Sequence, residues 1–280
     1  MAVHSLLDRR DGLFGEITVY DLAGRRWLTN NGILQGLAFL EPNSRTIDPD
    51  VPQGPGPVQG CTYSLAWLIA ASQAPEGRGL MLGLGAGEGV VALLYNFPRL
   101  TLDVVEPDRV IFDMARRHFP LFDHYLRSGR LQVHIGWGEH YLEHDGLLFD
   151  FAIADIDGGT ANVHPLYSND RFLSAFAASS PACWMNLMTR IEHSRTAELF
   201  GRFAACGLTI RALFSCQPRT MNLIATTCDV DLPAALAFTP YEDLDTAGAQ
   251  EMRRRYIDLC HSAGRETIPS GPAAAMEQAG

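Results

Sequence analysis

The chain has 280 residues, a formal net charge of -10 and a pI near 5.3. That length accommodates one large α/β domain plus a small module, and the acidic balance excludes general nucleic-acid binding, which needs a basic face. All 22 Lys/Arg positions are arginine, which excludes both a Schiff-base lysine and a P-loop lysine.

Other classes fall away on pattern. The six cysteines form no CxxC pair, so no zinc spacing is present, and a reduced, cytoplasmic setting is expected. The first residues, MAVHSLLDRRDG, lack the apolar core of a signal peptide. No apolar run reaches the roughly 18 residues of a membrane span.

In chain order, Gly15 to Asp21 alternates as a strand, Ala23-Gly24 marks a turn, and Arg26 to Asn30 continues as a strand. Asn31-Gly32 is a hairpin signal, with Ile33 to Leu37 as the next strand. A small antiparallel β module is therefore expected over 1–60, ending in a Pro/Gly-rich loop from Glu41 to Gly60. Tyr63 to Ser72 reads as helix. Strands are predicted at 79–84, 100–105, 131–135, 149–154 and 182–188. Helices are predicted at 90–95, 109–118, 171–178 and 194–205, with a final hairpin at 208–214 and 221–227. This alternation implies an α/β, doubly wound, mostly parallel Rossmann-like sheet over 61–236. The segment 237–280 is expected to hold one helix (Gln250 to Cys260) and a frayed tail.

The chemistry centres on Gly83-Leu84-Gly85-Ala86-Gly87-Glu88-Gly89, which follows an apolar strand and opens a helix. Glycines there let the backbone approach a ligand and expose helix N-terminal amides. The next strand ends at Glu106, where a carboxylate can accept both ribose hydroxyls of an adenosine. The dinucleotide spacing fails in both frames, because its third glycine would fall on Glu88 or Val90. The G-x-G-x-G spacing of S-adenosylmethionine (AdoMet) sites fits at Gly85 and also at Gly83. An adenosyl cofactor is expected, and a nicotinamide one is not.

From Leu82 to Pro120 the sequence resembles the spermidine synthase branch of the class I AdoMet-dependent methyltransferase superfamily. Gly85-Ala86-Gly87-Glu88-Gly89 matches its glycine loop, Glu106-Pro107-Asp108 its acid-x-Asp step, and Phe119-Pro120 its aromatic-proline step. LQVHIGWGEHYL is similar to its G-D-G element, and FDFAIADIDGG to the strand that delivers the catalytic aspartate. The resemblance implies Asp155, with Asp157 and Tyr63, as catalytic residues. Residue pattern and resemblance together make Gly83, Gly85, Gly87, Glu88, Glu106, Pro107 and Gln35 the expected cofactor site, with Trp137 against the adenine in place of a family aspartate, and AdoMet or decarboxylated AdoMet as cofactor. The resemblance also implies a small-molecule acceptor such as an amine, and a homodimer.

Three departures bear on the substrate. Trp137 stands where the family has an adenine-binding aspartate, Tyr63-Ser64-Leu65 where it has Tyr-His-Glu, and Gly158 where it has a second acid. Polyamine recognition needs several acids, so methyl transfer to a small molecule is the favoured reading. The alternatives are transfer of the aminopropyl or aminocarboxypropyl arm, or its cyclisation, releasing methylthioadenosine. A catalytically silent scaffold is the reading from another class.

Individual residues keep two readings each. Asp155 is a base or a turn cap, Trp137 an adenine contact or core, Glu88 a cofactor contact or loop cap, and His164 a substrate contact or a solvated loop histidine. His118, His134, His140 and His144 lack ligand spacing, so no metal is expected.

Overall fold

The computed structural model describes residues 5–42, 55–57, 67, 70–71, 74–143, 148–157, 164–190, 196–217 and 220–228. Strands β1 (Ser5–Gly12), β2 (Gly15–Leu22), β3 (Arg25–Asn30), β4 (Ile33–Pro42) and β5 (Pro55–Pro57) form one antiparallel sheet in that order. Its hairpins follow from turn chemistry. Ala23-Gly24 and Asn31-Gly32 both have paired left-handed φ values, 52° and 74°, then 49° and 75°, as a type I′ turn requires. The stretch expected to be loop from Glu41 thus carries the end of β4 and all of β5.

The second sheet has the order β11-β12-β10-β9-β6-β7-β8. Its strands are β6 (Arg78–Leu82), β7 (Thr101–Glu106), β8 (Leu131–Ile135), β9 (Phe151–Asp155), β10 (Cys183–Arg190), β11 (Thr209–Gln217) and β12 (Thr220–Thr226). The ladder is parallel from β10 through β9, β6 and β7 to β8. The hairpin strands β11 and β12 pair antiparallel to each other, and β12 to β10. Helices α1 (Glu88–Asn96), α2 (Arg109–His118), α3 (Pro120–Arg127), α4 (Gly138–Leu142), α5 (Asp170–Ala178) and α6 (Thr196–Ala205) intervene, with a 3-10 turn at Pro165–Ser168.

Period-two alternation splits the strands between two cores. Met81, Leu102, Val104, Phe151 and Ile153 join the cluster with Trp67, Leu93, Met114 and Phe122. Leu80, Leu82, Val105, Ala152 and Ala154 join Phe172, Phe176, Phe200 and Phe203 on the other face. Each fully buried phenylalanine contributes about 1.5–3 kcal/mol. Burial on both faces explains why these strands read as continuous apolar runs.

Because β6 pairs with β7 on one side and β9 on the other, the chain direction switches beside β6. A crevice opens there at the carboxyl ends of the strands. Among the described residues no helix is long and apolar enough to cross a membrane. Of the helix expected at Tyr63 to Ser72, Trp67, Ala70 and Ala71 are helical and buried. Tyr63 and the helix expected at 250–260 lie outside the described residues.

Candidate active site

The crevice at the switch point is a cavity of about 270 Å³. Its floor is the glycine loop. Gly83 and Gly85 have φ of 96° and 54°, a region that side chains avoid. A Cβ on Gly83 would lie 2.1 Å from the Asp155 carbonyl oxygen, and one on Gly85 2.3 Å from that of Gln35. These two glycines let the loop touch β9 and the N-terminal sheet at once. Gly83, Gly85 and Gly89 line the cavity. Gly87, expected among the cofactor contacts, does not. It is the left-handed N-cap of α1, and its N–H donates to the Leu84 carbonyl at 2.9 Å.

Glu106 ends β7 and lines the cavity, only 4% exposed. Its Oε2 accepts from the Leu84 N–H at 3.0 Å and its Oε1 from the Asp108 N–H at 2.8 Å. Burial pushes its pKa up to about 7, against those two hydrogen bonds. A carboxylate has about four acceptor sites, so two remain for a ligand. Asp108, next along, accepts from the Val110 N–H at 2.8 Å as the cap of α2. Its other oxygen accepts from the Leu13 N–H at 2.6 Å. That bond, with Asn31 Nδ2 donating to the Phe14 carbonyl at 2.7 Å, fixes the β1–β2 turn and places Phe14 in the cavity wall. Phe14 meets Trp137 edge to face at 5.9 Å. Trp137 follows β8, is 37% exposed, and lines the cavity beside Pro107 and Ile111. It is therefore not core.

The far wall is acidic. Asp155 ends β9, half-buried, and accepts from Asn186 Nδ2 at 2.8 Å. Burial, the largest effect, and then Asp157 push its pKa up to about 6, against the Asn186 hydrogen bond. Among the described residues its side chain accepts no backbone N–H of the turn that follows, and the Ile156 N–H beyond it is taken by the Tyr167 hydroxyl at 3.0 Å. Asp157 accepts from Gln35 Nε2 at 3.1 Å. His164 also lines the cavity. Its Nδ1 caps the 3-10 turn by accepting from the Leu166 N–H, and burial lowers its pKa. It is thus a partly buried cap residue that faces the cavity. Glu88 lines the cavity too. Its Oε2 accepts from the Leu37 N–H at 3.1 Å, so it holds β4.

Sequence reasoning missed Phe14, Asn186 and Tyr167. Asn186 had a signal, since it is a polar residue in the buried strand CWMNLM. Phe14 had none, because only docking of the two sheets brings it to the cavity. Tyr63, expected beside Asp155, lies outside the described residues. Of the expected histidine group, His118 meets Asp8 and His134 meets Asp103. Among the described residues no cluster has the makings of a metal site.

No family model matches the chain. A polyamine aminopropyltransferase of Streptococcus uberis (strain ATCC BAA-854 / 0140J) is 27% identical over 111 residues, 39% of this chain and 38% of that protein. One of Vibrio vulnificus (strain CMCP6) is 34% identical over 88 residues, 30% of this chain and 28% of that protein. The matched stretches thus span well under half the length of these relatives. The crystal structure of a probable spermidine synthase from Corynebacterium glutamicum ATCC 13032 superposes with a TM-score of 0.63 at 12% identity, covering 94% of this chain and 97% of that one. The chain therefore has the fold of the spermidine synthases, the branch of the class I AdoMet-dependent superfamily that its sequence resembles.

Proposed function

We propose that the protein transfers the aminopropyl arm of decarboxylated AdoMet to a small amine and releases methylthioadenosine. The observation that carries this reading is the charge of the cavity. Glu88, Glu106, Asp155 and Asp157 line it, and among the described lining residues there is no arginine. A decarboxylated donor ends in an ammonium group, which such walls favour. Among the described lining residues, the carboxylate of intact AdoMet would find no arginine to pair with. The two curated relatives, both polyamine aminopropyltransferases by name, support the same side.

The residues present fit the donor. The unused acceptor sites of Glu106 suit ribose hydroxyls, and Gly83 and Gly85 admit close backbone approach. Trp137, Phe14, Pro107 and Ile111 offer apolar and π surface to an adenine. When bound, the donor supplies a sulfonium-activated carbon, so that a C–N bond forms as the C–S bond breaks and its electron pair leaves on sulfur as a thioether. The protein holds the amine in line and takes its proton. Asp155 is placed for both tasks. One of its oxygens is held by Asn186, and a carboxyl pKa near 6 makes it a stronger base than an ordinary aspartate while it remains ionised at neutral pH. Asp157, steadied by Gln35, adds negative charge for an ammonium group.

Methyl transfer, favoured by the sequence because Leu65 and Gly158 stand where the family has polyamine-binding acids, is the second reading. The test is mass spectrometry after incubation with each donor and a panel of small amines. Methylthioadenosine from the decarboxylated donor is expected. S-adenosylhomocysteine from AdoMet, with no methylthioadenosine, would overturn the proposal for the second reading.

A further inference from the structure

Asn186 stands on β10 directly opposite Asp155 on the parallel neighbour β9. It is 8% exposed and lines the cavity. Its Nδ2 donates to Asp155 Oδ1 at 2.8 Å. A carboxylate offers only acceptors, so the amide must turn its nitrogen towards Asp155 and its oxygen away. That oxygen, Oδ1, is buried, and no donor among the described residues reaches it. Buried acceptors without a donor are rare and costly in native proteins. The backbone here is held separately. The buried Tyr167 hydroxyl donates to the Asn186 carbonyl at 2.9 Å and accepts from the Ile156 N–H at 3.0 Å. The ends of β9 and β10 are therefore tied without help from the Asn186 side chain.

We infer that Asn186 positions Asp155 and that its Oδ1 receives an N–H of the acceptor, so that the two side chains together select a primary amine. A neutral primary amine aims its lone pair at the electrophilic carbon and keeps two N–H groups. One meets the Asp155 carboxylate, the other Asn186 Oδ1. A secondary amine or a hydroxyl has one donor to offer and leaves Asn186 unsatisfied, which is the kind of mismatch a buried polar site rejects strongly. This selectivity rests on the amine-acceptor reading above. The positioning role does not.

The groups facing Asp155 define what a titration reads. Among the described residues they are Asp157 from its own loop, the Tyr167 hydroxyl from the 3-10 turn and the Asn186 amide from β10. Gln35 and His164 act on it through Asp157. The experiment is a carboxyl-carbon NMR titration of the full chain labelled at aspartate, with no donor or amine present. The Asp155 signal is identified by its loss in Asp155→Asn. Asn186→Ala should move the Asp155 midpoint up by about one to two pH units, the loss of one hydrogen bond to a charge. Asn186→Asp, of equal volume, should move it up as well. A midpoint unmoved in both folded variants overturns the positioning role.

The kcat/KM for methylthioadenosine release with n-butylamine and N-methylbutylamine, read where the attacking amine is neutral, then tests the selectivity. The wild type should prefer the primary amine by about tenfold or more, and Asn186→Ala should lose that preference. Equal preference in both proteins overturns the Oδ1 assignment. Absence of methylthioadenosine with every amine would instead sink the aminopropyl reading, while leaving the titration result intact.

Discussion

Asp155 sets a sign that can be measured without a substrate. Its folded pKa of about 6 lies above its unfolded value of 3.8, so the folded state holds its proton more tightly. Any cost of this burial is absent below pH 4, grows between pH 4 and 6, and is complete above that. Asp155→Asn should therefore raise the melting temperature at pH 8 by several degrees, an effect of roughly 2 kcal/mol. At pH 4 the two proteins should melt together, and a gain equal at both pH values would contradict this assignment. In the wild type, turnover should fall as the pH drops below about 6. Glu106→Ala should weaken methylthioadenosine binding by about 1.5–3 kcal/mol by calorimetry, and Trp137→Ala by about 0.5–1.5 kcal/mol. Unchanged affinity would remove either residue from the adenosine site. At this scale the sequence showed the residues that sit at predictable strand ends, such as Glu106, Trp137 and Asp155. It hid the partners, Asn186 and Phe14, whose roles come from neighbours 31 and more than 100 positions away.

Elements were legible where burial is one-sided or total. The helix at 109–118 and the strand at 131–135 match their expected bounds, because their apolar spacing is clean. β1 was missed because SLLDRRDG shows neither alternation nor an apolar run, and none of its residues is buried. α3 was read only as an aromatic-proline step, although Pro120 at its first position is a helix-start signal. The five residues of α4 are too few for a period to show. The glycine loop is the element whose geometry is least tolerant. Gly83→Ala must push the loop off the end of β9, and a loss of about 2 kcal/mol or more in stability is expected by chemical denaturation. A stability unchanged within 0.5 kcal/mol, on the order of a neutral surface change, would show that the loop has room to shift.

Across the whole molecule, the doubly wound order could be expected from alternation alone, since right-handed βαβ crossovers leave few alternatives. The docking of the N-terminal sheet could not. Besides the Leu13–Asp108 and Phe14–Trp137 contacts, it uses three hydrogen bonds that Gln35 and Leu37 of β4 make across the crevice. The Gln35 carbonyl accepts from the Ala86 N–H, Leu37 donates to Glu88, and the Gln35 amide donates to Asp157. Each contact ends on a segment that also lines the cavity.

This shared seam makes ligand binding and the integrity of the N-terminal sheet a single linked equilibrium. A molecule that steadies the glycine loop and Asp157 must also slow the opening of β4, whose first three residues, Ile33, Leu34 and Gln35, line the cavity. Amide protons of β3 and β4 should therefore exchange with deuterium more slowly when methylthioadenosine is present, and those of the distant α6 should not change.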